Sequence, residues 1–166
     1  MKNLVFIRHA KSSWADMNLH DKDRPLNKRG VRDAPHMAAF LQERLPVIDL
    51  IIPSIAKRTR ETARFFQVQY GLSDLEIIPT EALYHSGVDA YFHQIWSLDE
   101  TVETVVLVGH NPTLTEIAYY IQPGLTENVP TCGMLWVEVD INNWANFDFD
   151  KVALKGYYYP KMLSGA

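Results

Sequence analysis

A single cysteine, Cys132, among 166 residues means that no disulfide can form within the chain, and no Cys/His spacing resembles a zinc site. No apolar run is long enough to cross a bilayer. Leu4 to Ile7, between Lys2 and Arg8, are also too few for the apolar region of a signal peptide. A basic block of the kind that follows a phosphate backbone is missing, and the formal net charge of -4 points away from nucleic acid. Internal repeats, low-complexity tracts and linkers are absent too. These absences predict a protein of a reducing compartment, the cytoplasm, with no membrane or nucleic-acid partner.

What is present is ordinary globular material, with 47% apolar and 22% charged residues. The length predicts one domain spanning 1–166. Along the chain, short apolar strands alternate with amphipathic helices, which predicts a three-layer α/β/α fold around a mostly parallel sheet. Lys2 to Ile7 reads as the first strand. A helix follows, with Asn27 as its cap and Ala34, Met37, Ala38 and Leu41 at helical spacing; Pro35 either kinks it or marks its first turn, with Asp33 as the alternative cap. Strands are predicted at Asp49 to Pro53, Leu75 to Pro79 and Glu103 to Val108. Helices are predicted from Ala56 to Tyr70, stopping at Gly71, from Val88 to Leu98, and from Leu114 to Ile121 before Pro123-Gly124. Met134 to Ile141 and Val152 to Tyr159 alternate around Asn142-Asn143 and read as an antiparallel hairpin. The aromatics there, Trp136, Trp144, Phe147, Phe149 and Tyr157 to Tyr159, read as packing groups.

Two strand exits carry the chemistry. The first strand runs into Arg8-His9-Ala10-Lys11-Ser12, and the strand ending at Val108-Gly109 runs into His110-Asn111-Pro112. Ligands of open α/β sheets collect at the carboxyl ends of strands, so an arginine and two imidazoles emerging there suit an anion. His9 is the candidate nucleophile and Arg8 its charge partner. An imidazole accepts a phosphoryl group only while one ring nitrogen keeps a free lone pair, and a neighbouring guanidinium disfavours imidazolium while holding phosphate oxygens. Ser54 closes the second strand, and Arg58 one helical turn later can reach the same rim; Lys57, Arg60 and Arg64 read as a solvated face with Glu61. His110 precedes the opening turn of a helix, where free N–H groups favour anions, and is the candidate donor to a phosphate oxygen.

In this setting Arg8-His9-Ala10-Lys11-Ser12-Ser13-Trp14 resembles the signature of the histidine phosphatase superfamily. The likeness spans the chain: Asp23-Arg24-Pro25-Leu26-Asn27-Lys28-Arg29-Gly30, then Ser54 with Arg58 and Thr62, then Gly109-His110-Asn111-Pro112, recur in that superfamily's order. The small size and these segments resemble its SixA-type branch, phosphohistidine phosphatases without a large cap, and so imply a phosphoglycerate mutase-like fold. The resemblance implies that His9 is transiently phosphorylated, that Arg8, Arg58 and His110 form the phosphate pocket, and that no metal or other cofactor takes part. Ser12 and Asn111 join the expected substrate-binding set. Ala10, Ile55 and Ala15 stand where glycine, proline and, in mutases, asparagine are more typical, which counts against a mutase more than against a phosphatase.

Glu81 lies about where mutase-like members carry a general acid, and reads equally as that acid or as a surface carboxylate. A phosphohistidine substrate relaxes the need for one, because protonated phosphoimidazole leaves as neutral imidazole. Tyr84 and His85 are candidates for the pocket mouth or for packing; His20, His36 and His93 read as ordinary surface or helix residues. The expected partner is a phosphorylated signalling protein. Alternatives are a small phosphate ester or sugar phosphate, or a phosphoprotein-binding module without turnover.

Overall fold

The computed structural model describes residues 1–164. One five-stranded sheet runs through it in the order β2-β3-β1-β4-β5. Its strands are β1 (Lys2–Arg8), β2 (Leu50–Pro53), β3 (Thr104–Gly109), β4 (Met134–Val139) and β5 (Val152–Tyr158). β2, β3 and β1 are mutually parallel; β4 is antiparallel to β1, and β5 to β4. The central residues of the parallel trio, Leu4 to Ile7, Ile51 to Ile52 and Val105 to Val108, are apolar because both faces of the sheet are covered, as parallel sheets require. In β1, Val5 and Ile7 face one layer, formed by α1 (Lys28–Arg44) and α2 (Lys57–Tyr70) with Met37, Leu41 and Phe66. Leu4 and Phe6 face the other, formed by α3 (Val88–Trp96) and α4 (Thr113–Ile121) with Tyr91, Ile95 and Ile117. This is the expected three-layer architecture. A short α5 (Pro160–Leu163) follows β5, and no helix among the described residues is long and apolar enough to cross a membrane.

Local chemistry sets the element ends. Asn27 caps α1, its side chain accepting from the Gly30 N–H at 2.9 Å, so Pro35 lies inside the helix rather than in its first turn. Gly71 closes α2 in the left-handed conformation at φ 67°, which a residue with a Cβ adopts only under strain. Ala63 and Phe66 of α2 are buried, whereas Tyr70 is only partly so. The expected strand at Leu75 to Pro79 does not form. Asp74–Glu76 is a 3-10 turn capped by Ser73, and the segment touches the sheet only through isolated bridges from Ile77 to Ile51 and from Thr80 to Ser54. The reason is burial: Leu75 is 88% exposed and Ile78 50%, so of this apolar run only Ile77 packs against the core, and Pro79 brings no N–H. The hairpin strands are as read, but their connection is packed rather than a tight Asn-Asn turn. It holds two 3-10 turns, and Trp144 and Phe147 are buried within it, with the Trp144 indole donating to the Val102 carbonyl at 2.8 Å.

The three parallel strands end on one edge, where Arg8, Pro53 and Gly109 hand over to His9, Ser54 and His110. Gly109 is required there by space: a Cβ on it would lie 1.7 Å from the Tyr91 hydroxyl. Gly109→Ala is therefore expected to cost about 1 to 3 kcal/mol by overpacking. Adding Tyr91→Phe, which deletes the clashing oxygen, should return part of that loss in chemical denaturation.

Candidate active site

The loop after β1 is stitched to its neighbours by backbone bonds. The His9 N–H donates to the Gly109 carbonyl at 3.0 Å, and the Ala10 N–H donates to Thr62 Oγ1 at 3.0 Å. Thr62 in turn donates to the Arg58 carbonyl at 2.7 Å, tying the first turns of α2 to the exit of β1. The Ser54 N–H donates to the Val108 carbonyl at 3.0 Å. Side chains from β1, β2, α2 and β3 are thus held at one rim.

His9 is 8% exposed, and its Nδ1 lies 2.7 Å from the Ala10 carbonyl. A carbonyl only accepts, so Nδ1 carries the proton and the neutral ring leaves its lone pair on Nε2. Burial, with the charges of Arg58 and Arg8 and the His110 ring adding to it against the Ala10 bond, pushes the His9 pKa down to about 3. His110 stands with its ring 5.3 Å from that of His9. Burial first, then Arg58, lowers its pKa to about 3 as well. Its Nδ1 is 3.4 Å from Arg58 Nη2 and its Nε2 is 2.6 Å from the Ser54 hydroxyl, which lies 2.7 Å from Thr59 Oγ1. A guanidinium only donates, so Nδ1 accepts from Arg58, and the neutral ring carries its proton on Nε2, which donates to the Ser54 hydroxyl.

Arg8 and Arg58 supply the positive charge. Arg8 Nη1 donates to the Val129 carbonyl at 2.9 Å, and burial together with the Arg58 charge lowers its pKa. Arg58, 5% exposed, donates from Nη1 to the Asp21 carbonyl at 2.7 Å and from Nη2 to Asp21 Oδ2 at 3.0 Å. The Nε atoms of both arginines are buried with no hydrogen-bond partner among the described residues. Unsatisfied buried donors are costly, and an oxyanion is the partner a guanidinium accepts best.

The structure thus brings together His9, Arg8, Arg58 and His110. The other three candidates stand differently. The Ser12 hydroxyl is buried and accepts from Arg24 Nη1 at 2.8 Å. Asn111 is committed to the loop: its amide donates to the Val129 carbonyl at 2.9 Å and to Asn128 Oδ1 at 3.0 Å, while its Oδ1 accepts from the Thr115 N–H and hydroxyl. Glu81 is exposed, and its carboxylate makes no hydrogen bond among the described residues. From the same segment it is Tyr84 that reaches inward, its ring 5.7 Å from His110.

Asp21 is the member that sequence reasoning missed. It sits in a 3-10 turn of the polar stretch after β1 and accepts from Arg58, from the Tyr84 hydroxyl at 2.7 Å and from Arg24 Nη2 at 3.2 Å. Burial would raise its pKa, but the bonds from Tyr84, Arg58 and Arg24 and the Arg58 charge outweigh it and hold the carboxyl well below the usual range. Nothing in the local sequence separates Asp21 from Asp16 or Asp23.

The depressed imidazole pKa values have a definite sign. Unfolded histidines take up protons below about pH 6.5 while the folded rings do not, so each ring's share of stability is complete above that pH and is lost as pH falls toward about 3. The side-chain NMR signals of His9 and His110 should keep their neutral-form shifts at pH 5. His9→Asn should lose less stability than wild type between pH 6.5 and 4; an equal loss would refute the shift at His9.

The geometry agrees with comparisons to known proteins. Residues 4–91 match the histidine phosphatase superfamily (branch 1). An uncharacterised chloroplastic protein of Arabidopsis thaliana is 32% identical over 86% of this chain and 69% of its own length. An uncharacterised protein of Mycobacterium tuberculosis is 29% identical over 93% of this chain and all of its own. Among solved structures, a protein of Agrobacterium tumefaciens provisionally assigned as the phosphohistidine phosphatase SixA superposes with a TM-score of 0.81 at 28% identity, covering 96% of this chain and 98% of that one. With both histidines and both arginines gathered at the rim of a phosphoglycerate mutase-like sheet, the chain belongs to the histidine phosphatase superfamily.

Proposed function

We propose that residues 1–166 form one phosphatase domain that hydrolyses phosphohistidine on a partner protein through a phosphorylated His9, without a metal or other cofactor, in the cytoplasm. The observation that carries this reading is the His9 ring itself: neutral, with its Nδ1 proton tied to the Ala10 carbonyl and its Nε2 lone pair free beside two arginines. In the first step Nε2 attacks phosphorus in line, and the bond from phosphorus to the leaving nitrogen breaks with its electron pair passing to that nitrogen. A leaving imidazole already protonated on its distal nitrogen departs neutral. In the second step water attacks phospho-His9, the P–N pair returns to Nε2, and the water proton passes to solvent.

Arg8 and Arg58 have the roles of holding the phosphoryl oxygens, with their unpartnered Nε–H groups as donors. His110 accepts from Arg58 at Nδ1 and donates from Nε2 to the Ser54 hydroxyl, and so has the role of holding the Arg58 guanidinium at the phosphoryl oxygens. The state of the carboxylates supports a phosphoramidate over an alkyl ester. An alkoxide needs an acid to protonate it, but Asp21, the carboxylate hydrogen-bonded to Arg58, is held as an anion, and Glu81 is exposed. The solved neighbour from Agrobacterium, assigned to phosphohistidine chemistry, supports the same choice.

Turnover of a phosphohistidine peptide against a panel of phosphate esters, including sugar phosphates, tests the reading. Wild type should favour the peptide in kcat/KM; His9→Ala should abolish turnover, and Arg58→Ala should lower kcat by about 100- to 1,000-fold. A preference for sugar phosphates would overturn the substrate assignment. Undiminished activity in His9→Ala would overturn the mechanism.

A further inference from the structure

Asp21 and Tyr84 meet beside Arg58, with the Tyr84 ring 5.7 Å from that of His110. Asp21 Oδ2 is 3.0 Å from Arg58 Nη2, and that nitrogen is 3.4 Å from His110 Nδ1, so the carboxylate stands one guanidinium away from the phosphate pocket. The corner is partly open to solvent, with 38% of the Asp21 side chain exposed. An imidazole already sits there. The His85 ring lies 4.0 Å from the Tyr84 ring, centroid to centroid, with its Nε2 3.6 Å from Asp21 Oδ2. The ring is 69% exposed, and the His85 backbone holds φ 50°, a left-handed conformation uncommon for a residue with a Cβ. The chain thereby shows that a flat heterocycle fits against Tyr84 with a ring nitrogen turned toward a carboxylate.

We propose that the Asp21–Tyr84 corner is the leaving-group subsite, taking a cationic group such as the protonated imidazole of phosphohistidine and disfavouring leaving groups that carry a carboxylate or a second phosphate. The inference rests on the phosphatase reading and narrows its substrate. The aromatic ring and the carboxylate are complementary to a planar cation, which takes the place of the exposed His85 ring, its distal N–H donating to Asp21 while its face lies on Tyr84. Asp21 keeps its charge because Arg58, Arg24 and the Tyr84 hydroxyl all donate to it. The same contacts position the Arg58 guanidinium. A cationic leaving group gains an attraction that a neutral one lacks, and a carboxylate arriving at the corner meets a like charge. In a phosphoimidazole the contact also favours the protonated ring, the form that leaves without an added acid.

Three phenyl phosphates that differ only in a remote ring substituent, trimethylammonium, hydrogen or carboxylate, separate charge recognition from positioning. Wild type should rank them in that order in kcat/KM. Asp21→Asn keeps an oxygen that accepts from Arg58 but removes the charge, and should shrink the cation-to-neutral ratio by about tenfold, mainly through KM. It should also improve the carboxylate compound relative to the neutral one. Tyr84→Phe keeps the ring face and the carboxylate, and should preserve the order. A fall by one common factor for all three compounds in Asp21→Asn would overturn the proposal, leaving Asp21 only its grip on Arg58. Calorimetric binding of the same compounds reads the same ratio on protein that turns over none of them. Loss of turnover therefore counts against the phosphatase reading, and loss of the charge order against this inference.

Discussion

The hydrogen bond from His9 Nδ1 to the Ala10 carbonyl decides what the rest of the site can do. It fixes the proton on one ring nitrogen and leaves the other with its lone pair. The bond exists because the loop after β1 cannot rotate: the His9 N–H is held by Gly109, the Ala10 N–H by Thr62, and Thr62 by the Arg58 carbonyl. The anchors come from β3 and α2, so the sheet, α2 and the β1 loop together set the position of one imidazole. Gly109, whose missing Cβ makes room for Tyr91, belongs to the same constraint.

Electrostatics completes what the hydrogen bond begins. Burial and the flanking guanidinium groups both oppose imidazolium, which keeps His9 and His110 neutral through the physiological range. The pocket is therefore positive through its arginines, with two neutral imidazoles that do not add to that charge. A desolvated guanidinium is costly unless its donors are matched, and the buried Nε atoms of Arg8 and Arg58 have no partner among the described residues. Asp21 matches the Nη groups of Arg58 and stays ionised in return, so the one arginine is held between a fixed anion and the His110 ring.

Much of this was legible in the sequence because strand exits announce themselves. Leu4 to Ile7 and Val105 to Val108 are apolar on both faces, and the polar residues that follow them can only lie at the sheet's edge. Arg58 was legible through helical spacing from the end of β2, and the ends of α1 and α2 through Asn27 and Gly71. The Leu75 to Pro79 segment was misread because its apolar residues resemble a strand while Leu75 and Ile78 face solvent, a distinction that only tertiary packing makes. Asp21 was invisible for a related reason: its partners, Arg58 and Tyr84, are 37 and 63 residues away, and a polar loop carries no periodicity that would aim it. Asn111 sits beside His110 in sequence, yet its side chain turns to Val129 and Thr115, since adjacency along a loop does not fix side-chain direction.

The most direct test of a free Nε2 on a neutral His9 is the site and regiochemistry of phosphorylation. Protein mixed briefly with a phosphoryl donor, quenched in alkali to protect phosphoramidates, and digested should yield a peptide phosphorylated on His9, with ³¹P NMR and fragmentation placing phosphorus on Nε2. Phosphorus on Nδ1, or on any residue other than His9, would contradict the account.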